Sequence, residues 1–559
     1  MKRILLLSLL FAAGVVLTPS NAKAQLYGGV VLDHDIMMPT DMASLSRTQV
    51  FGTARSMAMG GAFTSLGGDI SSVSINPAGL GMFSHSIFSF TPMLSVANAS
   101  TTGVPSWVGN SKANFGVANF GATFNLSERA SGSLISLNAA FTYNRVADYN
   151  TKMSFSSETL YDASNNNLVP TIADVFMYQL AGANLYPTST GSMSYDNNPY
   201  YWPAQSAYKT YLIDPESGDN AWTTNVIGHN ASVLGSYEVL QSGRTDEYSF
   251  AFGGNVGNYL YFGATFSLQE INQTTEYVYQ EEYNYYDDEG YAYASASDTD
   301  PIDYQAAYSN IWQRTELSGA GANVKLGLIA RPTRALRVGV AYHSPTYYTL
   351  ARTYETSTET MILGNYSNLV ASEIFTSTSP EFIDNYEYSW KFRTPSKLLL
   401  GASLQFGNFG VVSVDYERQW YNWIRVSNSP GELTTYDYQQ EFQDNYQPTN
   451  TFRLGIEVKP TSQLALRAGG GFSTSMLKDE TLFYSTPTAT DSDYITFGVG
   501  IQFTPSTTLD VAYQYYHQNY SSYKLFYAES SSGDDISSSN LFNSSLNQNF
   551  ITATLTFRL

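Results

Sequence analysis

Hydrophobic and polar residues alternate strictly where the chain ends. The odd-numbered positions from Ile551 to Leu559 are all apolar, whereas the even-numbered positions carry three threonines and Arg558. A period of two gives a β-strand one apolar face and one polar face. A strand that keeps this pattern to its last residue predicts a closed barrel, in which the last strand pairs with the first and the apolar face contacts lipid.

The same alternation recurs in about fourteen segments along the chain. We place them at 86–97, 113–126, 133–149, 246–254, 258–285, 312–331, 335–354, 387–406, 409–420, 450–459, 463–475, 493–503, 507–519 and 549–559. Short turns alternate with long polar connections, the latter at 150–245, 286–311, 355–386, 421–449 and 520–548.

This asymmetry of the connections decides the class of β-protein. Outer-membrane barrels have short periplasmic turns, long extracellular loops and an even number of strands. We therefore predict an all-β, transmembrane antiparallel β-barrel of about 14 strands, with both ends of the chain on the periplasmic side. A secreted array of β-sandwiches shares the strand pattern but has no reason to alternate its connections in this way. Within the largest connection, 150–245, we expect a short helix near 171–183.

Residues 1–24 have the pattern of a signal peptide. Lys2 and Arg3 precede an apolar stretch, and Ala22-Lys23-Ala24 satisfies the small-x-small rule for cleavage. The alternative is an N-terminal membrane anchor, but the apolar stretch is too short to span a bilayer. The domain boundaries that we predict are 1–24 for the signal peptide, 25–85 for an N-terminal segment, and 86–559 for the barrel with its extracellular loops.

Composition narrows the possible partners. The chain has no cysteine, which excludes disulfides, lipoprotein anchoring and cysteine-ligated metals. Its formal net charge is −20, and loss of three basic residues with the signal peptide makes it −23, which argues against nucleic acid as a partner. The 44 tyrosines and 31 phenylalanines are typical of a barrel with aromatic girdles at both membrane interfaces.

Charged residues on the polar parity of the strands are expected to face the lumen. Buried charges of both signs must pair with each other or remain hydrated. They form either a structural network that fills the barrel or part of a ligand site. These residues are Arg337, His343, Asp415, Glu417, Arg453, Glu457, Lys459, Arg467 and Asp510.

The N-terminal segment 25–85 is too apolar to be a disordered tail. It is rich in glycine and other small residues between Gly52 and Gly61, and it closes with Asn76-Pro77-Ala78-Gly79-Leu80. Small residues permit close approach of the backbone, and an Asn-Pro pair followed by glycine favours a tight turn. An apolar, compact segment that precedes a wide barrel is predicted to fill the lumen as a plug, or hatch.

These features resemble the FadL/TodX family of outer-membrane transporters for long-chain fatty acids and other hydrophobic compounds. The resemblance lies in Gly52–Gly61, the Asn76–Leu80 turn, Tyr143-Asn144-Arg145, Phe392-Arg393-Thr394-Pro395 and Asp415-Tyr416-Glu417. It implies a fourteen-stranded barrel with an N-terminal hatch, a deep pocket beside that hatch, and a kinked strand that opens a lateral gap. Phe115 and Val117 differ in parity from Phe120 and Phe124, which indicates such a kink in the second strand or a bulge without function.

The resemblance implies a non-enzymatic channel in the outer membrane of a Gram-negative bacterium. Its partners would be a hydrophobic small-molecule ligand, outer-membrane lipid and lipopolysaccharide, and we expect a monomer without a cofactor. Asn76, Pro77, Ala78, Gly79 and Leu80 would shape the hatch beside the deep pocket, or serve only as a turn. Arg337, Asp415, Glu417, Arg453, Glu457 and Arg467 would be the charges of the lumen.

Other functions remain open at this stage. Related barrels act as partners in protein secretion, as PorV-like proteins do, and others are called hemin receptors. Heme would need an axial ligand such as His85, His343 or His517, which show no ligand spacing. A hydrolase would need a serine beside a base. His343 and Ser344 are adjacent in sequence, but they would lie on opposite faces of a continuous strand. The acidic segment 276–303 is either a calcium-collecting loop or a solvated loop tip.

Overall fold

A computed structural model describes residues 37–102, 110–128, 133–159, 169–196, 199–216, 221–224, 226, 231–285, 305–363, 368–376, 388–428, 438–478, 488–529, 535–538 and 540–559. The predicted signal peptide and the first part of the predicted hatch lie outside these residues. No helix in the described ranges is long and apolar enough to cross a membrane.

The chain is built mainly of strands. In order they are β1 (Ile87–Thr102), β2 (Ser111–Glu128), β3 (Leu134–Asp148), β4 (Thr151–Thr159), β5 (Ile213–Pro215), β6 (Trp222–Thr224), β7 (Ala231–Val256), β8 (Leu260–Tyr285), β9 (Gln305–Ala330), β10 (Leu336–His343), β11 (Tyr347–Leu363), β12 (Asn368–Thr376), β13 (Tyr388–Arg393), β14 (Lys397–Phe406), β15 (Gly410–Trp420), β16 (Arg425–Asn428), β17 (Pro448–Val458), β18 (Leu464–Ser473), β19 (Ala489–Thr504), β20 (Thr507–Tyr520), β21 (Tyr523–Lys524), β22 (Tyr527–Glu529), β23 (Asp535–Ser538) and β24 (Leu541–Arg558).

Short helices occur in the N-terminal segment and in the long connections. The α-helices are α1 (Pro39–Leu45), α2 (Ala54–Ala58), α3 (Ser72–Ile75), α4 (Ile172–Gly182), α5 (Trp202–Lys209) and α6 (Tyr438–Asn445). The 3₁₀ helices span Pro77–Met82, Pro199–Tyr201 and Tyr421–Trp423.

The strands close into an antiparallel barrel with 14 wall positions. Twelve positions hold one strand each, and two hold two consecutive strands, namely β10 and β11 at one position and β13 and β14 at the next. In order around the barrel, the positions are β1, β2, β3, β7, β8, β9, β10/β11, β13/β14, β15, β17, β18, β19, β20 and β24. β24 then pairs with β1 from Ile87↔Arg558 to Thr102↔Asn543. The backbone N–H of Leu559 donates to the carbonyl of Ser86 at 2.9 Å, so the prediction that the last strand seals the wall is confirmed.

Two neighbouring wall positions are interrupted at the same level. The first strand breaks between β10 and β11 at Pro345, and the second breaks between β13 and β14 at Pro395. Proline has no N–H to give to a ladder. The breaks support each other, because Thr394 N–H donates to Thr346 O at 3.0 Å and Thr346 N–H donates to Thr394 Oγ1 at 2.9 Å. We predicted both strands as continuous.

The wall separates a lipid face from a lumen face by parity. Phe252, Phe262 and Leu326 are exposed on the outward parity. Thr265 and Lys325 are buried on the inward parity. This alternation is what a membrane-spanning barrel requires.

The N-terminal segment from Met37 to Met82 fills the lumen. Its buried side chains pack against inward-facing wall residues, with Ala54 and Ala58 beside Tyr494 and Ala512, and with Ile70 and Leu80 beside Ala140 and Ala251. The predicted plug is therefore present. Its lower part lies so close to the wall that side chains would not fit between them.

Inward-facing glycines of the wall make that close approach possible. A β-carbon at Gly253 would lie 2.6 Å from Leu80 Cβ, and one at Gly401 would lie 2.7 Å from Thr64 Cβ. At Gly263 a β-carbon would overlap the carbonyl of Pro77. Glycine in a strand often marks such an approach of a second backbone. The wall glycines in contact with the plug are Gly121, Gly253, Gly263, Gly327, Gly339, Gly401, Gly455, Gly469 and Gly498.

Two apolar clusters close the lumen above the plug. In one, α6 packs through Tyr438 and Phe442 on Met42 and Leu45 of α1. In the other, α4, α5 and the β5–β6 hairpin form a body that we call the cap. The helix predicted near 171–183 is confirmed as α4. The remainder of 150–245, which appeared loop-like in sequence, also holds β4, α5, β5, β6 and the extracellular part of β7.

The glycine contacts lead to a stability prediction. Gly263→Val should push the Pro77–Ala78 backbone away from β8 and destabilise the folded protein by about 1–3 kcal/mol, as overpacking does elsewhere. Ala264→Val is the matched control, because Ala264 is the next residue and faces outward. The measurement is thermal unfolding in detergent, followed by heat-modifiable gel mobility. Equal unfolding midpoints for the two variants would contradict the packing argument.

Candidate functional site

The predicted hatch turn lies at the centre of the plug–wall contact. Asn76 is fully buried, and its side-chain amide donates to Thr64 O at 2.6 Å and to Leu328 O and Val340 O at 3.3 Å each. Its Oδ1 accepts from the N–H of Ala78 at 3.1 Å, so Asn76 caps the 3₁₀ helix that begins at Pro77. Asn76 thus joins two parts of the plug to β9 and β10.

The other residues of this turn are buried as well. Leu80 is fully buried, and its carbonyl accepts from Asn138 Nδ2 at 2.7 Å. A β-carbon on Gly79 would collide with Ser72 Cβ and Gly67 Cα. The turn Asn76, Pro77, Ala78, Gly79 and Leu80 therefore contacts the wall and the rest of the plug.

The predicted lumen charges form two groups, both in contact with the plug. In the lower group, Glu457 accepts from Arg55 of the plug at 2.9 Å and from Arg467 at 2.6 Å. Arg467 also bonds Asp510 at 2.6 Å, and the half-exposed Lys459 lies 3.6 Å from Glu457. Burial of these charges is tolerable because each has an opposite charge beside it.

The upper group surrounds Glu417. Arg453 donates to Glu417 at 2.7 Å, and Lys397 lies 3.5 Å from it. Asp415 lies outside this ion pair, and its Oδ2 accepts from the plug N–H of Thr64 at 2.8 Å. Arg337 donates to the plug carbonyl of Leu66 at 2.7 Å. All six predicted lumen charges thus lie where the wall meets the plug.

A third ion pair was not predicted from the sequence. Lys325 and Glu247 form an ion pair on the lumen face of the wall. The hydroxyl of Ser74 in the plug donates to Glu247, and its carbonyl accepts from Lys325. Nearby, the ring of His343 bonds Ile75 O at 2.9 Å.

Two cavities in the upper part of the lumen share several lining residues. The upper one, of about 200 Å³, is bounded by Asp41 of α1 below and by Tyr237 and Tyr277 above. The second, of about 130 Å³, reaches Lys325, His343 and Glu417. Arg47 lines both cavities, as do Leu45 and Gln49.

Arg47 is a cation without a carboxylate partner among the described residues. Its guanidinium donates to Tyr516 Oη at 2.6 Å and to Gln518 Oε1. It takes part in none of the ion pairs found in the described ranges. A half-buried guanidinium at the junction of two cavities is suited to bind an anionic group.

The second strand carries the irregularity predicted from its change of parity. Thr91 of β1 pairs with Asn119 and Pro92 pairs with Val117, so Ala118 is a bulge. Below the bulge β2 pairs with β3, beginning at Asn119↔Asn144. From Ser111 to Val117 it pairs only with β1. The wall therefore has a window between β2 and β3.

Side chains and the plug close this window. Above the window, the side-chain amide of Asn110 donates to the backbone carbonyl of Ser154 at 2.9 Å. The guanidinium of Arg145 lies beside Gly116 and bonds Asp246 at 2.9 Å. On the lumen side, the plug residue Gln49 pairs with the free edge of β3. Its N–H donates to Val146 O at 3.0 Å, and its Oε1 accepts from Asp148 N–H at 2.9 Å.

The residues considered for heme or catalysis do not form such sites. His85 bonds Ser84, and His517 bonds Asn547 and Asn519. Ser344 Oγ donates to Pro345 O, whereas the ring of His343 faces Ile75. In the described part of the chain no group of His, Cys, Asp and Glu could hold a metal ion. The Asp287-Asp288-Glu289-Gly290 segment lies outside the described residues.

Sequence reasoning missed Arg47, Gln49 and the plug-facing glycines. The glycines did carry a signal, because they fall on the inward parity of strands whose outward parity is apolar. Arg47 and Gln49 carried none, since a loop residue inside a plug has no periodicity from which its direction could be inferred.

Comparison with known proteins gives one family and several structures. Residues 220–558 match the family described as "Outer membrane protein transport protein (OMPP1/FadL/TodX)". No curated protein matches the sequence. The toluene transporter TodX of Pseudomonas putida is 13% identical, with 92% of this chain and 99% of that chain covered and a TM-score of 0.46.

Two further solved structures are similar in the same way. A Pseudomonas aeruginosa FadL homologue is 12% identical over 91% of this chain and 99% of its own, with a TM-score of 0.47. The Ralstonia pickettii toluene transporter TbuX is 14% identical over 91% and 98%, with a TM-score of 0.45.

The lower charge group gives a second stability prediction. Glu457→Gln leaves Arg55 and Arg467 without their shared carboxylate and should destabilise the protein by about 3–5 kcal/mol, the usual effect of breaking a buried pair. Lys459→Gln removes an exposed neighbour of the same carboxylate and should change stability by less than about 1 kcal/mol. Denaturant unfolding in detergent measures both. A smaller effect for Glu457→Gln than for Lys459→Gln would contradict the arrangement.

Proposed function

The chain belongs to the OMPP1/FadL/TodX family of outer-membrane transport proteins, and from this premise we propose that it takes up amphipathic molecules such as long-chain fatty acids, gated by its N-terminal hatch. The family comprises transport channels rather than enzymes. The protein is accordingly an outer-membrane barrel of a Gram-negative bacterium that carries hydrophobic compounds. The proposal concerns which compounds these are and what controls their passage.

The observation that supports a fatty acid is the position of Arg47. A carboxylate placed between the two cavities would meet the guanidinium that lacks a carboxylate partner in the described residues. The acyl chain would then lie in the upper cavity, against Leu45, Leu317 and Leu546. Polar lining residues such as Gln273 and Thr275 suit an amphipathic ligand better than a pure hydrocarbon.

The hatch would act as a gate through a local movement. Its lower part, from Met59 to Met82, is fixed against wall glycines and by Asn76. The segment 46–50 has no regular structure and contacts the wall mainly through hydrogen bonds. Gln49 closes the window two residues after Arg47. A ligand that binds Arg47 more tightly when 46–50 is displaced would shift the population toward an open window.

In this scheme the predicted hatch residues have a positioning role. Asn76, Pro77, Ala78, Gly79 and Leu80 hold the lower plug in place while the segment above it moves. We propose that residues 25–85 form the hatch, that 86–559 form the barrel with its loops, and that the signal peptide, 1–24, is removed at export. The channel would work as a monomer among lipid and lipopolysaccharide.

Charge recognition can be tested with one substitution and two ligands. Arg47→Gln should weaken binding of oleate by about ten- to a hundredfold, the range expected for one charge-assisted hydrogen bond. Oleyl alcohol, which has the same chain without the charge, should bind nearly as before. Tryptophan fluorescence titration of purified protein measures both. Arg418→Gln is the control, because Arg418 is on the outward parity. Equal losses for the two ligands would refute recognition of the carboxylate.

The gate can be tested at Gln49. Gln49→Ala removes the side-chain bonds to Asp148 and Gln548 but retains the backbone bond to Val146. We expect uptake of oleate into proteoliposomes to become severalfold faster and the apparent dissociation constant to fall, because the variant already favours the displaced state that binds ligand more tightly. Thr48→Ala, one residue earlier in the same segment, is the control. Unchanged uptake by Gln49→Ala would show that this contact does not limit passage.

A further inference from the structure

The cap separates the upper cavity from the outside. Tyr237 lines the cavity and is also buried in the apolar cluster of the cap, and Met153 and Tyr277 border both. The cluster joins residues from opposite sides of the barrel, including Ile311 of β9 and Tyr523 and Phe526, which follow β20. Within the described residues, the cap therefore lies between the upper cavity and the extracellular side.

The helix α4 of the cap is held by one carboxylate of the wall. Glu281 of β8 is fully buried, and its oxygens accept from the N–H of Ile172, the first residue of α4, at 3.0 and 3.2 Å. Tyr279 Oη donates to Oε1 at 2.7 Å, and Tyr283 Oη lies 2.8 Å from Oε2. The site thus consists of a carboxylate, the N-terminus of a helix of 11 residues and two phenols.

The surroundings of Glu281 contain no compensating cation among the described residues. Tyr279 and Tyr283 face it from its own strand, and Asp174 faces it from α4. The residues paired with it on the neighbouring strands are Gly235 of β7 and Ser309 of β9, and both are uncharged. Ionisation of Glu281 is therefore opposed by burial and by Asp174, and it is favoured only by hydrogen bonds.

We propose that Glu281 is a pH-dependent latch that holds the cap closed over the lumen when protonated and loosens it when ionised. This regulation rests on the proposed function, because the closed cap would control admission of ligand to the cavity beside Arg47. The latch itself is a property of the fold and exists without any ligand.

The direction of the effect follows from linkage. Glu281 lies above the membrane, since β8 begins at Leu260 and a strand needs roughly 9–11 residues to cross the bilayer. Burial raises the pKa of Glu281 from 4.5 to about 7. Opening exposes the carboxyl and returns its pKa toward the ordinary value, so the closed state binds the proton more tightly. The closed state is most stable in acid, and this stability is lost as the pH rises toward 7.

Hydrogen exchange of the full-length protein in nanodiscs, without ligand, measures the latch. After correction for intrinsic exchange rates, the opening constant of the amides in α4 should rise about tenfold per pH unit between pH 5.5 and 7, and then level off. In Glu281→Gln, which retains an acceptor but cannot ionise, the opening constant should not depend on pH.

A matched control and a second variant keep the test decisive. Glu359 accepts a bond from Tyr308 on the outer face of β11, so Glu359→Gln should retain the pH dependence of the unmodified protein. Tyr283→Phe removes a hydrogen bond that favours the ionised form, and it should move the midpoint to higher pH. A flat profile for the unmodified protein, or an unchanged slope in Glu281→Gln, would overturn the latch. Neither outcome involves Arg47, so failure here is distinct from failure of carboxylate recognition.

Discussion

The close contact between two backbones, that of the plug and that of the barrel wall, is the constraint on which the structure depends. A barrel of 14 strands has a lumen wide enough to hold a folded segment. Side chains on every inward position would keep that segment away from the wall. Glycine at Gly253, Gly263 and Gly327, which are mutual neighbours in the ladder, removes this obstacle on adjacent strands. The hydrogen bonds of Asn76 to two strand carbonyls require the same proximity.

Electrostatics then distinguishes the plug residues that are bonded to charged groups of the wall from Arg47, which is not. Arg55 and Ser74 of the plug reach the buried carboxylates Glu457 and Glu247, each of which also has a cationic wall partner. Such pairs are costly to break. Arg47 in the upper plug bonds only uncharged groups among the described residues. In the proposed scheme, stability and ligand recognition would therefore depend on different residues of one short segment.

The sequence predicts the barrel well because its main signal is local. Alternation in β14, β17 or β20 shows directly which face is apolar, and short turns such as 407–409 are evident from their composition. The bulge in β2 was also visible, since an extra residue reverses parity. Lumen charges such as Glu457 were found for the same reason. The contact with Arg55 was not, because Arg55 lies in the plug, about 400 positions before Glu457 in the sequence.

Interactions that depend on tertiary arrangement could not be predicted from the alternation of apolar and polar residues. The breaks at Pro345 and Pro395 lie in stretches where apolar and polar residues still alternate. Periodicity alone therefore predicts one continuous strand across each break. Glu281 alternates with exposed residues like any other strand position. Only the docking of α4, which lies about a hundred positions away in the sequence, buries it. The apolar faces of the other elements in the cap are short and irregular. A helical period could therefore be recognised in the sequence only for α4.

The seam between β1 and β24 also constrains the order of assembly. It joins the two ends of the barrel, so it closes the longest loop in the chain and has the largest loss of chain entropy among the strand pairings. The plug immediately precedes β1 and contacts wall strands around the ring. Once the seam has formed, no lateral opening as wide as the plug remains for it to pass through. The plug therefore enters the lumen either before the seam closes or along the barrel axis, and the closed wall then contacts it from strands around the whole ring.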